Sequence, residues 1–486
     1  MRQSIFGFLK ETPYAPCFSY LETFEKKFLL DPKEAGNSLR NFLELFTDHV
    51  IVQTGMKDAY TNSLKDNNND SLSSRLYFMR KNPNIYKNHP IQMEYRYFVK
   101  GKPEQRASRF LPDYKYPYNK LFILDFFRGY ANQFHHDPEQ IKRFPDPDYD
   151  VNFYHTLDYI SLLQEYLLDF LGMSSKNQVD FRKMPLSLNN GQTVFYMESE
   201  LMTAMDPSLL HCRYSFSGTM YPNKDKDEAY FAIIQLFDKN DPALPLEQLE
   251  RCATTYAATR RSKFGEALRD IRVLSGYHGN AEFYILAYIF EEPAQPLTEQ
   301  LLQSISKADR LVLCREIAGI LAALHNADPA IYHRFLNHNC IYLCNNIESD
   351  ILWYPSITGF SLAKINRENQ PTVLLKDSKD RITRQIPPNL TPYIPLGWAD
   401  SVNDCGDTVD IYSMGMLFFH ILTGKFNHNI HVNSNNLINK YFPTIRMALT
   451  KELSDATALI IDMLNPLGTE RPSAKEVFER LDKLCK

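Results

Sequence analysis

The chain has 486 residues, which is long enough for two or three domains. Its hydrophobic content of 44% and charged content of 23% exclude a disordered or collagen-like protein. With 54 basic against 58 acidic residues the formal net charge is -4, which argues against a surface coated with nucleic-acid-binding positive charge but leaves a single RNA site open.

Cysteine usage and hydropathy constrain the compartment. Eight cysteines are too few for a disulfide scaffold, and their positions lack the paired spacing of zinc ligands. No run of about 18 apolar residues occurs, so we expect no membrane span. The sequence therefore predicts a soluble, cytoplasmic protein with neither a metal ion nor a cofactor.

The first third of the chain has a helical pattern. Residues 20–52 carry apolar side chains at three- and four-residue spacing, and Asp31-Pro32 supplies a cap and a first-turn proline. The polar stretch at 58–75 predicts a flexible loop. Two further amphipathic stretches, at 121–137 and 154–172, predict more helices.

The pattern changes to alternating strands at about residue 185. The segments 212–221 and 229–238 flank a polar turn and predict a β-hairpin. A helix is expected at 246–274 and two strands around 282–290, followed by helices to the end of the chain. A loop-rich stretch at about 340–400 interrupts those helices.

This order of strands, one helix and then further helices resembles the two-lobed protein kinase fold. The most specific segments are DIYSMGMLFFHILTG, from Asp410 to Gly424, and ERPSAKEVFERL, from Glu470 to Leu481. The resemblance implies an α+β fold, with a kinase-like N-lobe at 185–290 and a C-lobe at 291–486. It also implies that Asp410 holds the backbone of the catalytic loop and that Arg471 is a buried structural arginine.

The same resemblance implies that the catalytic parts of a kinase are missing, because phosphoryl transfer needs a glycine loop, a lysine, a base and metal ligands. The positions that correspond to these parts or adjoin them are occupied by Ile234, Glu266, His333, Arg334, Phe335, Cys340, Gly359 and Phe360. Of these, Glu266 keeps the family's residue type, and the His333-Arg334 pair lacks the aspartate that should follow it. The chain is therefore similar to a pseudokinase.

The helical region carries a second resemblance. Arg128, Asn132, His135 and His136 recur at spacings of three and four, which would place them on one helix face. The pattern resembles the HEPN superfamily and implies a helical HEPN-like domain at 1–175. In such a site the arginine would stabilise the phosphate and a histidine would transfer protons, giving metal-independent RNA cleavage. The alternative is a polar network that only packs the helix.

Three functions follow as hypotheses. In the first, an inactive kinase-like protein regulates or scaffolds a protein partner, and its helical domain is an effector or homodimerisation module. In the second, the protein is a HEPN-type ribonuclease, a toxin or defence protein, with Arg128, His135 and His136 as catalytic residues and the pseudokinase half as regulator. In the third, it is an atypical nucleotide-dependent transferase on a kinase fold.

Overall fold

The computed structural model describes part of the chain, and all structural statements below concern that part. The described residues are 4–28, 31–64, 69–82, 85, 124, 127–129, 131, 156–173, 184–201, 214–223, 228–240, 246–259, 268–345, 353–366, 388–395, 406–426, 443 and 454–486.

The N-terminal region is helical, as predicted. After two short 3-10 turns, its helices are α1 (Phe18–Lys27), α2 (Pro32–Gln53), α3 (Lys57–Ser63), α4 (Leu72–Lys81) and α5 (Thr156–Phe170). The predicted start of α2 is confirmed, because the Asp31 carboxylate accepts the backbone N–H of Glu34 at 3.1 Å. Asp31 therefore satisfies one of the N–H groups that an α-helix leaves unpaired at its start.

The prediction of a continuous flexible loop at 58–75 is wrong. Helix α3 occupies its beginning, and α4 starts within its end, where the Ser71 hydroxyl accepts the N–H of Ser74 at 3.2 Å. The Ser and Asn residues that indicated turns include this capping residue. The polar residues of this stretch therefore include a helix cap and are not all part of a loop.

Eleven strands lie within the described residues. They are β1 (Leu186–Leu188), β2 (Thr193–Leu201), β3 (Tyr214–Tyr221), β4 (Tyr230–Asp238), β5 (Leu268–His278), β6 (Ala281–Phe290), β7 (Ala294–Pro296), β8 (Ile331–Tyr332), β9 (Ile341–Asn345), β10 (Trp353–Ile357) and β11 (Lys364–Ile365). The predicted hairpin is confirmed, since β3 and β4 pair in antiparallel register from Tyr214↔Leu236 to Met220↔Tyr230.

The strand arrangement contradicts the expected two-lobed kinase fold. Six strands form a closed antiparallel barrel in the order β1-β2-β3-β4-β6-β5. The barrel closes because the three-residue strand β1 pairs with β2 on one side and with β5 on the other, which leaves the row without a free edge. The fold is mixed α/β, so the kinase-like N-lobe at 185–290 and C-lobe at 291–486 are corrected to a barrel with helices and two small sheets.

The remaining helices are α6 (Leu246–Thr259), α7 (Glu299–Ser304), α8 (Lys307–His325), α9 (Asp407–Thr423), α10 (Ser454–Met463) and α11 (Ala474–Leu484). The predicted helix at 246–274 is too long, because its last residues, from Leu268, belong to β5. Buried residues recur along this strand at spacings of three and four, which is also the spacing on one face of a helix. Periodicity alone therefore does not distinguish a strand from a helix here. Helix α9 is buried along nearly its whole length, and the residue that caps its C-terminus, Gly424, has a φ of 69°.

The chain divides into two compact units. The first contains Met1–Glu200 and Ser275–Phe283, and the second contains Leu201–Leu274 and Tyr284–Lys486. An aromatic group centred on Phe46, with Tyr14 and Phe170 at ring distances of 5.1 and 5.3 Å, belongs to the core of the first unit. A large apolar core built mainly from α8, α9, α10 and their neighbours holds the second.

Candidate functional site

The second unit contains a buried polar cluster around Asp410, a residue of the first turn of α9. The Asp410 carboxylate accepts the backbone N–H of His333 at 2.8 Å and that of Arg334 at 2.5 Å. The Nε2 atom of His325, in the last turn of α8, lies 2.9 Å from Oδ2 of the same carboxylate. Asp410 is fully buried, so these contacts replace its hydration.

The backbone that Asp410 holds has an unusual conformation. Arg334 has a φ of 71°, in the left-handed region that costs a residue with a Cβ about 1–2 kcal/mol. The charge-assisted hydrogen bond from its N–H to Asp410 offsets that strain. The turn after β8 is thus fixed by a side chain 76 residues further along the chain.

His333 links this turn to the segment after β10. Its Nε2 atom lies 2.7 Å from the carbonyl oxygen of Thr358, and Thr358 donates its backbone N–H to the carbonyl oxygen of Cys340 at 2.8 Å. Gly359 follows with a φ of 82° and begins the 3-10 helix Phe360–Leu362. These bonds bring together His333, Cys340 and Gly359, three of the residues selected from the sequence.

Apolar side chains enclose the cluster. The Phe360 ring packs 5.2 Å from the His333 ring and 6.1 Å from the ring of Tyr256 in α6. Phe335 is 2% exposed, and the Cys340 thiol lies 3.6 Å from the Phe335 carbonyl oxygen. His333 and Asp410 are both fully buried, so neither of these two groups is within reach of an outside substrate.

A second polar chain runs from His338 through Tyr393 to His420. The Tyr393 hydroxyl lies 2.9 Å from Nδ1 of His338 and 2.7 Å from Nδ1 of His420. Since one hydroxyl has one hydrogen, it donates to one imidazole and accepts from the other, so the two rings carry different tautomers when both are neutral. Burial raises the pKa of Tyr393 well above its ordinary value of 10.0, so the hydroxyl keeps its proton.

Sequence reasoning missed this chain. His338 begins the 3-10 helix His338–Cys340, Tyr393 ends the 3-10 helix Pro388–Tyr393, and His420 lies in the last turn of α9, so no spacing relates them. The only signal was that histidines occurred in apolar surroundings, which a buried hydrogen-bonded histidine explains as well as a functional one.

The other residues selected from the sequence lie elsewhere. Ile234 is fully buried in β4 opposite Phe216, and Arg471 donates to the carbonyl oxygens of Asn465 and Thr408 at 2.8 and 2.7 Å. Glu266 lies outside the described residues. The assignment of these residues to kinase positions depended on the two-lobed fold, which the strand arrangement contradicts.

The proposed ribonuclease residues are only partly described. Arg128 is helical, and its guanidinium donates to the Ser73 hydroxyl of α4 at 3.0 Å. Asn132, His135 and His136 lie outside the described residues. The contact ties Arg128 to a neighbouring helix of the first unit.

The described ranges contain neither a candidate metal site nor a candidate membrane-spanning helix. No group of three or more His, Cys, Asp or Glu side chains there could hold a metal ion. No helix in those ranges is long and apolar enough to cross a membrane. None of the cysteines that the structure describes forms a disulfide bond. Burial raises the pKa of the Cys344 thiol to about 12, which makes it a poor nucleophile.

Comparison with known proteins gives no family. No protein-family model matches the chain, and no curated protein matches it. The resemblances to protein kinases and to the HEPN superfamily are therefore corrected: neither a family match nor a two-lobed fold supports them. Short motifs such as the Asp410–Gly424 helix can resemble a family because any buried helix of a large domain has similar apolar composition.

Proposed function

We propose that this protein is a regulatory or scaffolding protein that acts in the cytoplasm by binding a protein partner. In this proposal the N-terminal helices serve as an effector or homodimerisation module. No feature of a kinase enters the proposal.

The observation that carries it is the use of the polar groups around Asp410. Both carboxylate oxygens are occupied by backbone N–H groups and an imidazole, and the His333 imidazole contacts a carbonyl oxygen. Because the Asp410 carboxylate and the His333 imidazole hydrogen-bond to backbone groups, they hold the loops in fixed positions. A rigid arrangement of loops is suited to recognition of a partner. A catalytic base would need a free lone pair near substrate.

The contrasting hypothesis is RNA cleavage by the helical region. The test incubates purified full-length wild-type protein and an Arg128→Ala, His135→Ala, His136→Ala triple variant with total cellular RNA in EDTA. The proposal expects identical RNA patterns on a denaturing gel for the two proteins. Cleavage by the wild type that the triple variant lacks would replace scaffolding by a ribonuclease activity.

Binding itself is tested on the full chain. Multi-angle light scattering over a range of protein concentrations measures the mass, and the homodimerisation part of the proposal expects a rise toward twice the monomer mass. A protein captured from the cells of origin should then bind the purified full chain in a binary calorimetric titration. A monomer at every concentration, together with no titratable partner, would contradict the proposal.

A further inference from the structure

The β3–β4 hairpin carries a polar pair inside the core of the second unit. Ser215 of β3 lies directly opposite Gln235 of β4 in the antiparallel register. Directly opposite residues project from the same face of a sheet, with Cβ atoms about 4.5–5.5 Å apart. Ser215 is 1% exposed and Gln235 is fully buried.

The neighbours of Gln235 on its own face of β4 are apolar. Ile233 and Phe237, two residues before and after Gln235, share its face of β4 because side chains alternate along a strand. Both belong to the large core that also includes Cys252 and Tyr256 of α6. An amide placed on this face is therefore removed from bulk water.

The polar atoms of the pair are nevertheless unsatisfied. Neither Nε2 nor Oε1 of Gln235 has a hydrogen-bond partner, nor does Oγ of Ser215, within the part of the chain that the structure describes. A glutamine amide offers two donors and an acceptor oxygen, and a serine hydroxyl offers a donor and acceptors. More than about 90% of buried polar groups in folded proteins have a partner, because leaving one unpaired is costly.

We propose that Ser215 and Gln235 bind an internal water molecule. Water is small and neutral, and it can accept from the Gln235 amide while donating to the Ser215 hydroxyl or to Oε1. An internal water requires two to four polar partners, and this pair supplies three polar atoms on one face. A charged ligand is excluded, since the apolar neighbours offer it no counter-charge.

Crystallography of the full chain tests the site directly. We expect an ordered density peak within about 3.2 Å of both the Gln235 amide and the Ser215 hydroxyl. A direct hydrogen bond between the two side chains, with no such peak, would overturn the proposal.

A thermal-unfolding series tests it in solution. Gln235→Met replaces the amide by an unbranched apolar side chain of similar length. If the amide binds water, this variant loses those hydrogen bonds, and Tm falls by roughly 2–6 °C. If the amide truly lacks a partner, the variant sheds a desolvation penalty and Tm stays the same or rises, which contradicts the proposal.

Three further variants separate hydration from packing. Ile233→Met lies on the same face of β4, alters no polar atom, and measures the effect of methionine alone; it should shift Tm less than Gln235→Met. In the double variant Ser215→Ala/Gln235→Met both partners of the water are absent. Its loss of Tm should be smaller than the sum of the losses measured for the single variants Ser215→Ala and Gln235→Met, whereas additive shifts would count against a shared water.

Discussion

The Oδ2 atom of Asp410 accepts the backbone N–H of His333 at 2.8 Å, which joins the first turn of α9 to the turn that follows β8. Oδ1 accepts the adjacent N–H of Arg334, at a residue in the left-handed backbone region. One carboxylate thus holds two consecutive N–H groups of a strained turn. Such a turn persists only where its surroundings determine it.

Asp410→Ala should destabilise the protein strongly. The substitution leaves the buried N–H groups of His333 and Arg334 without their acceptor, at about 1–3 kcal/mol for each group. We expect the free energy of unfolding to fall by roughly 2–6 kcal/mol in urea titrations. The matched control is Glu479→Ala, an exposed acidic residue paired with Lys475 at 4.0 Å, which should cost less than about 1 kcal/mol. Equal losses for the two variants would show that Asp410 is not a brace.

Gly276→Ala should disturb closure of the barrel. Gly276 of β5 pairs with Leu188 of β1, and a Cβ at Gly276 would lie 2.5 Å from both Leu188 Cδ2 and the Ser187 carbonyl oxygen. Since backbone cannot yield as a side chain can, we expect a loss of about 1–3 kcal/mol in unfolding free energy. Hydrogen exchange should also speed up at the amides of β1 and β5.

Gly468→Ala is the control for that substitution. A Cβ there would meet its nearest atom, Thr408 Oγ1, at 3.4 Å, which is ordinary contact. It should leave the stability within about 0.5 kcal/mol of wild type. A Gly276→Ala variant as stable as this control would argue against close pairing of β1 with β5.

Local features of the fold could be predicted from the sequence, whereas its closure could not. The cap at Asp31 and the hairpin of β3 with β4 each depend on residues close together in the chain, and both are confirmed. Closure depends on β1, whose three residues carry too little pattern to be recognised, and on its pairing with Gly276, about 90 residues away. The kinase resemblance failed at this long-range step.

The same distinction applies to the buried polar groups. His333 and Arg334 can be selected from the sequence because they are adjacent, but their contacts with Asp410 and Thr358 join residues that lie far apart in the chain. His338, Tyr393 and His420 carry no shared motif, so only folding reveals that one hydroxyl contacts two imidazoles. Residue type indicated polarity, and three-dimensional packing alone determined the partners.

Glu25 should make stability depend on pH. It is 1% exposed and accepts the backbone N–H of Asn280 at 3.1 Å, with the Ser4 hydroxyl as a further donor. Burial raises its pKa above the ordinary 4.5, although these hydrogen bonds oppose the change. A raised pKa means that the folded state holds the proton more tightly than the unfolded state. This stabilising contribution is full below pH 4.5 and is lost as pH rises through the raised pKa.

Glu25→Gln is the variant that reveals this dependence. Glutamine keeps an acceptor for the Asn280 N–H, imitates the protonated acid and does not titrate. The difference in unfolding free energy, wild type minus variant, should therefore decrease as pH is raised from about 4 toward neutrality. Urea titrations at successive pH values measure it, and parallel curves for the two proteins would refute an elevated Glu25 pKa.

Tyr393→Phe should uncouple the two histidines that its hydroxyl bridges. The phenylalanine ring fills the same space, but Nδ1 of His338 and Nδ1 of His420 lose their common partner. Since these groups are buried, the loss should lower the unfolding free energy by about 1–3 kcal/mol in urea titrations. Tyr230→Phe removes a hydroxyl whose only described contact is an exposed one with Glu228 at 3.4 Å, so it should cost less than about 0.5 kcal/mol. If Tyr393→Phe lowers the unfolding free energy no more than Tyr230→Phe does, the hydroxyl between His338 and His420 contributes nothing to stability. The tautomers of the two histidines would then not be coupled through Tyr393.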